Sequence, residues 1–228
     1  ALLKRTLRHD HQGEVLAGFV ARLDLVHGAL IRERNLRDEN HGGSASDARS
    51  DLGLSVSPSL RFESDWVRHS WRGQATGDYV AYLENDDYNS LQAEVSSAFR
   101  LDIRRTTRAE FDASYVLGQE SSADSEVPDT AIGNRTDHAL AANAALIHDF
   151  GGLEGRAKLG IERQIFEDVD LSGGGTEDNS DRNNTTPSLA LRLSYTDPPA
   201  LKPFVELAYA PRFHDEKFDR NGLRPARW

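Results

Sequence analysis

Leu52-Gly53-Leu54-Ser55-Val56-Ser57-Pro58-Ser59-Leu60-Arg61-Phe62 carries an apolar residue at every even position and Gly, Ser or Arg at every odd one. Successive side chains of a strand point to opposite faces, so the stretch reads as a strand with one apolar and one polar side. The same alternation recurs on odd positions from Trp71 to Leu83, Leu91 to Ile103, Ala109 to Leu117, Leu153 to Ile161, Pro187 to Tyr195 and Leu201 to Phe213. An earlier run, Val15 to Leu25, obeys it too. Leu140 to Leu146, mostly alanine on both sides, completes nine predicted strands with no convincing helix between them.

Two runs are set apart: Leu140–Leu146, and Leu153–Ile161, whose phase breaks at Arg163. In the other seven, the apolar phase holds 43 positions and not one Asp, Glu, Lys or Arg. At the chain-wide 28% charged, about 12 of the 43 would be expected to carry a charge. The opposite phase holds 14 charges in 36 positions. One face excludes charge.

The connections alternate in length. Glu33–Ser50, Gly118–Arg135 and Ser172–Thr185 are long and rich in Gly, Ser, Asn and Asp, and Glu84–Ser90 occupies the same place in the order. Between them lie four tight turns, Ser64–Val67, Arg104–Thr107, Asp149–Gly152 and Thr196–Pro199. This order describes an all-β, antiparallel up-and-down meander with every long loop at one end. Short turns at one end and long loops at the other are characteristic of transmembrane β-barrels.

Period two does not say which solvent the apolar face meets. In an outer-membrane barrel it meets lipid, in a β-sandwich a second sheet, and in a lipocalin-like barrel an enclosed ligand. Runs of 11–13 residues, such as Leu52–Phe62 and Leu91–Ile103, exceed the mode of ~5–6 for globular strands and match the ~9–11 of a tilted membrane strand. Aromatics fall toward both strand ends, with Phe62, Trp66, Phe150 and Tyr195 beside tight turns and Tyr79, Tyr115, Tyr209 and Phe213 toward long loops. Two aromatic girdles suit the two membrane interfaces. Pro58 and Pro211 sit on the apolar phase inside strands, where each removes a ladder donor.

Composition narrows the function classes. The 27 Lys and Arg against 37 Asp and Glu give a net charge of -10, which argues against a nucleic-acid partner. Absent cysteine excludes disulfide scaffolds and thiol chemistry.

On this strand map, Ser57-Pro58-Ser59-Leu60-Arg61-Phe62-Glu63-Ser64-Asp65-Trp66-Val67-Arg68-His69 resembles the second hairpin of the type 2 β-barrel porin family of Gram-negative outer membranes. Arg100-Leu101-Asp102-Ile103-Arg104-Arg105-Thr106-Thr107-Arg108, Phe166-Glu167-Asp168-Val169 followed by Asp178-Asn179-Ser180-Asp181-Arg182-Asn183, Leu201-Lys202-Pro203-Phe204-Val205-Glu206 and Asp219-Arg220-Asn221-Gly222-Leu223 are similar again. The resemblance covers most of residues 15–223 and implies an outer-membrane barrel without enzyme activity or cofactor. Members continue for several hairpins beyond Asn221-Gly222-Leu223. The ending Arg224-Pro225-Ala226-Arg227-Trp228 therefore reads as a truncation, as does the odd strand count, since bacterial single-chain barrels have an even number.

Sites for other chemistry are thin. Asp168, Asp170, Glu177, Asp178 and Asp181 surround Gly173-Gly174-Gly175, and Glu84, Asp86 and Asp87 cluster elsewhere, but without EF-hand spacing they read as solvated surface loops. The eight histidines are dispersed and no nucleophile elbow is present, so no metal or catalytic residue is assigned. The polar phase supplies the candidate lumen-lining residues Arg61, Arg72, Asp78, Glu94, Arg100, Asp102, Arg192, Glu206 and Arg212. The expected organisation is a periplasmic N-terminal tail over 1–14, a partial outer-membrane barrel over 15–215, and a loop with a truncated end over 216–228. Expected partners are outer-membrane lipid, lipopolysaccharide and the barrel-assembly machinery. The expected function is porin-like passage of small solutes; the alternatives are a structural or surface-binding barrel and a soluble β-sandwich binding module.

Overall fold

A computed structural model of the chain describes residues 15–16, 19–36, 49–84, 89–120, 134–197, 202–218 and 222. Nine long strands follow one another: β1 (Phe19–Leu36), β2 (Arg49–Ser64), β3 (Ser70–Tyr82), β4 (Ser90–Arg104) and β5 (Thr107–Glu120). They continue as β6 (Arg135–Asp149), β7 (Leu153–Phe166), β8 (Asn184–Tyr195) and β9 (Phe204–Tyr209). Each pairs antiparallel with the next in a single sheet whose two outer strands do not meet. Val15–Leu16 folds back on the start of β1, and Phe213–His214 pairs with the start of β8. The expected tail and much of the expected C-terminal end lie outside the described residues.

Register carries the alternation intact from strand to strand. Leu60 opposes Ala75, Ala75 opposes Val95, Val95 opposes Tyr115 and Tyr115 opposes Leu140. On the other side Gln74 opposes both Arg61 and Ser96, and Arg156 opposes both Ile147 and Arg192. A slip of one residue would move a whole strand's apolar set to the polar side, so hydrophobic pattern and register enforce each other.

Several boundaries differ from the periodicity. Leu25 opposes Pro58 while Gly28 opposes Val56, so β1 carries one extra residue there. Such a bulge flips the parity of everything after it, which is why the odd-position pattern stops at Leu25 although the strand runs on to Leu36. At Pro211 the sheet gives way: β9 ends at Tyr209 and pairing resumes only at Phe213. Proline has no N–H to donate to a ladder. The alanine-rich run is the middle of a strand of 15 residues. The expected phase break at Arg163 does not occur, since Arg163 stays on the apolar rung between Leu140 and Thr185.

Three of the predicted tight turns are at one end of the sheet, though Asp65–His69 between β2 and β3 is longer than four residues suggested; part of the fourth, Thr196–Pro199, lies outside the described residues. Arg105–Thr106 joins β4 to β5. In the β6–β7 turn Gly151 and Gly152 both have φ of 87°, a left-handed conformation in which a side chain is strained. The Asp149 carboxylate accepts the Gly151 N–H at 2.8 Å.

The sheet is inside out relative to a soluble domain. Leu159, Leu146 and Leu207 on the apolar face are 62%, 52% and 70% exposed. Opposite them, a hollow of about 910 Å³ opens on the polar side of β2–β5, bordered by Arg61, Glu63, Arg72, Gln74, Ser96 and Asp112. The polar face is therefore the concave one there, the reverse of a lipocalin-like barrel. A sandwich requires a second sheet over the apolar face; among the described residues the other sheet is a two-residue hairpin at Val169–Asp170 and Thr176–Glu177. Among the described residues no helix is long and apolar enough to cross a membrane.

Two aromatic groups mark the apolar face. At the turn end Phe62 meets Trp71 edge-on at 5.0 Å, Trp66 meets Phe99 at 6.4 Å, and Phe99 stacks on Phe111 at 6.3 Å. At the loop end Tyr115 stacks on His138, and its hydroxyl lies 2.9 Å from Nδ1. Trp71 and Tyr79 are eight residues apart on β3, about 27 Å along the strand and roughly 20 Å once tilted, close to the ~25 Å apolar band of an outer-membrane barrel.

Candidate functional site

The polar face near the tight turns is a lattice of opposite charges. Arg100, Glu110, Ala145, Lys158, Ala190 and Ala208 form one rung across β4–β9. Asp102, Arg108, Ile147, Arg156, Arg192 and Glu206 form the next. Arg100 and Asp102 pair at 2.9 Å on one strand. Strands β5 and β7 lie two spacings apart, roughly 9.6 Å, yet their long side chains meet because β6 places only Ala145 and Ile147 between them. Arg108 reaches Glu154 at 3.2 Å and Arg156 reaches Glu110 at 3.0 Å, while Arg108 also holds Glu110 at 3.2 Å. Ile147, flanked by Arg108 and Arg156, is fully buried. Arg192 lies 3.6 Å from the Phe204 ring and 3.7 Å from the Glu206 carboxylate.

Nearer the long loops the balance changes. Register groups Asp24, Ser59, Thr76, Glu94, Val116, Ala139 and Gln164 in one rung, with Asp78 and Asp137 one step beyond. Acids there have no Lys or Arg on their own rung.

The β7–β8 connection keeps Asp168, Asp170 and Asp178 exposed, and it is also a folded unit, which composition alone did not indicate. Its hairpin at Val169–Asp170 and Thr176–Glu177 leads into a 3₁₀ turn at Ser180–Arg182. The carboxylates are engaged in holding it: Asp168 accepts the Asn179 N–H at 3.0 Å, Asp178 the Ser180 N–H at 2.8 Å, and Asp170 the Thr176 hydroxyl at 3.4 Å. Those Ser180 donors hold the Asp178 carboxyl below its ordinary range. Asn179 is fully buried; its amide donates to the Glu167 carbonyl at 3.0 Å and its oxygen accepts from buried Arg135 at 3.4 Å. Beyond the strands, Arg163 grips Asp215 through both nitrogens and lowers the pKa of that carboxyl, against a smaller opposing effect of desolvation. A depressed carboxylate stabilises above its unfolded pKa, so this clamp is present at neutral pH and is lost only as pH falls through the depressed value. Among the described residues no group of three His, Cys, Asp or Glu could hold a metal ion.

The family profile described as Putative beta-barrel porin 2 matches residues 30–226, most of the chain. The chain belongs to that family. No curated protein and no solved structure matches it. This member of the Putative beta-barrel porin 2 family carries its charge on the face opposite the exposed leucines. Eight of the nine candidate lining residues sit on polar rungs: Arg61, Arg72, Asp78, Glu94, Arg100, Asp102, Arg192 and Glu206. Arg212 does not; it lies in the interruption around Pro211, outside any ladder.

Sequence reasoning missed the crossed pairs of Arg108, Glu110, Glu154 and Arg156, which require knowing that alanine-rich β6 lies between their strands. It missed Arg135 and Asn179 as well, for which the Asn and Asp density of the loop was the available signal. Asn179→Ala should cost about 1–3 kcal/mol locally, because the Glu167 carbonyl and the Arg135 guanidinium each lose a buried partner. Hydrogen exchange should quicken across 168–182 while β2–β5 stay protected. Unchanged exchange in the loop would show that Asn179 does not hold it.

Proposed function

We propose that the chain is part of an outer-membrane β-barrel whose concave polar face lines a water-filled lumen for small solutes and whose apolar face meets lipid. One observation carries this reading: the large apolar residues are exposed on one face of the sheet, while the charges gather on the other, around the open hollow of β2–β5. That distribution is stable only where the outer solvent is hydrocarbon and the inner one is water. In this reading Arg61, Arg72, Asp78, Glu94, Arg100, Asp102, Arg192 and Glu206 line the lumen, lipid and lipopolysaccharide surround the barrel, and the assembly machinery inserts it. No catalytic group is assigned.

With nine strands the first and last run in the same direction, so antiparallel closure takes an odd number of further strands. Ion pairs join the charges of β4–β9 at the turn end, while Asp78, Glu94 and Asp137 add acids toward the loop end, with Arg135 and Arg182 beside Phe166 there. Planar-bilayer recording on the complete protein tests the passage: stepwise conductance supports it, and a folded but silent barrel moves the assignment to a structural or surface-binding barrel. The folded β7–β8 connection is what favours that second reading.

Topology has its own test. Glu84→Cys at the long-loop end and Asp197→Cys at the turn end are both exposed in the structure. A membrane-impermeant thiol reagent on intact cells should label the first alone. Labelling only at position 197 would invert the orientation. Asn179 is unsuitable for such a label, being buried.

A further inference from the structure

We propose, on the passage reading above, that the β7–β8 connection Glu167–Asn183 is the constriction of the lumen, folded inward across the polar face rather than outward into the medium. Four contacts give its direction. Arg135, bonded to Asn179, shares its phase on β6 with Asp137, Asn143, Ala145 and Ile147, the polar-face set. Phe166, on which the Arg182 guanidinium stacks at 4.0 Å, opposes Asp137 on the same side. The Asn184 amide donates to the Arg182 carbonyl at 3.0 Å, and Asn184 opposes Gln164 on a polar rung. His214, whose Nδ1 lies 3.3 Å from the Asp181 carbonyl, opposes Asn184. A loop turned outward would meet the alternate phase instead. His138, on the alternate phase, meets Glu167, the residue at which the chain leaves β7.

The unit is rigid enough to act as an obstacle. Asn179 and Val169 are buried within it, and the Asp168, Asp170 and Asp178 carboxylates tie its turns. Beside the loop, Arg135 and Asn184 are buried on the polar face of β6 and β8, while Ala145 and Ile147 are buried nearer the tight turns beneath Arg108 and Arg156; the open hollow lies on β2–β5. The remaining passage is therefore off-centre, running along β2–β5 past the acids of the loop-end rungs, and the loop decides which solutes fit.

Single-channel recording on the complete protein, compared with a variant in which residues 168–182 are replaced by a short Gly-Ser linker, tests this. Heat-modifiable gel migration reports whether the variant barrel has formed. The variant should conduct at least twofold more than the native protein and admit larger uncharged polyethylene glycols, and a silent native barrel opened by the replacement supports the same conclusion. Equal conductance with an equal polymer cut-off overturns the constriction and leaves the passage reading standing. Silence from both overturns the two together. A second measurement does not depend on the deletion folding. Ser172→Cys, at the exposed tip of the hairpin, should conduct normally and then lose a fraction of its current when a bulky thiosulfonate is added. Full modification with unchanged current would place the loop outside the passage and overturn the proposal.

Discussion

Val95→Arg should destabilise the membrane-inserted fold by about 2–4 kcal/mol, the cost of a cation facing lipid near the midplane of a barrel. Val95 is 49% exposed on the apolar face and opposes Ala75 and Tyr115. Four residues toward the tight turns, Phe99 sits in the lower aromatic group; four residues toward the loops, Leu91 opposes Tyr79 of the upper one. On its own strand the site thus lies between Phe99 and Leu91, level with Tyr115 across the ladder, and a guanidinium there must snorkel to reach water. Thr76→Lys is the control. It places a cation on the polar face opposite Glu94 and should change stability by no more than about 0.5 kcal/mol. Urea titration in lipid vesicles measures both. Equal costs, or a Val95→Arg chain that folds as a detergent-free monomer, would remove the lipid assignment of this face.

Glu110→Lys should be the most damaging change on the polar side. Glu110 holds Arg108 at 3.2 Å and Arg156 at 3.0 Å, so reversing it sets three cations together above Ala145 and Ile147. An attraction at that range is worth about 5 kcal/mol at an effective dielectric of 20, and water reaching side chains about a third exposed reduces the expected loss to roughly 2 kcal/mol. Adding Arg156→Glu restores one opposite-charge contact and should recover about half of it. A double-mutant cycle isolates that coupling. Additive effects would mean that the crossed pair is solvated and contributes nothing.

Much of the fold was legible because β-sheet periodicity is written in the sequence with a period of two. The run from Leu52 to Phe62 names its own faces, and Trp71 to Leu83 repeats them; register then has little freedom. The pattern blurred where a local event changed parity or removed a donor. The extra residue of β1 opposite Pro58 hid its second half, and Pro211 took Arg212 out of the ladder. Arg163 looked like a broken phase because a charge on the apolar side is explicable only once Asp215, 52 residues away, is seen beside it.

The polar-face site was legible as a set and illegible as an arrangement. Arg61, Arg72, Glu94 and Glu206 were identifiable from their phase alone, since a residue's face depends only on its parity within one strand. Which charges pair depends on which strands are neighbours and how far they are staggered, and Arg108 meets Glu154 only because β6 lies between β5 and β7 with an alanine and an isoleucine beneath the bridge. The internal hydrogen bonding of the Asp- and Asn-rich β7–β8 connection was likewise invisible, as its composition suits an unstructured loop equally well. Alternation could establish that one side of this sheet rejects charge. It could not say toward which side the sheet curves, because curvature arises from strand twist and closure, summed over hydrogen bonds between residues far apart in the chain. That tertiary choice, with charge around the hollow of β2–β5 and leucine exposed on the opposite face, is what separates a lipid-facing barrel from a ligand-enclosing one.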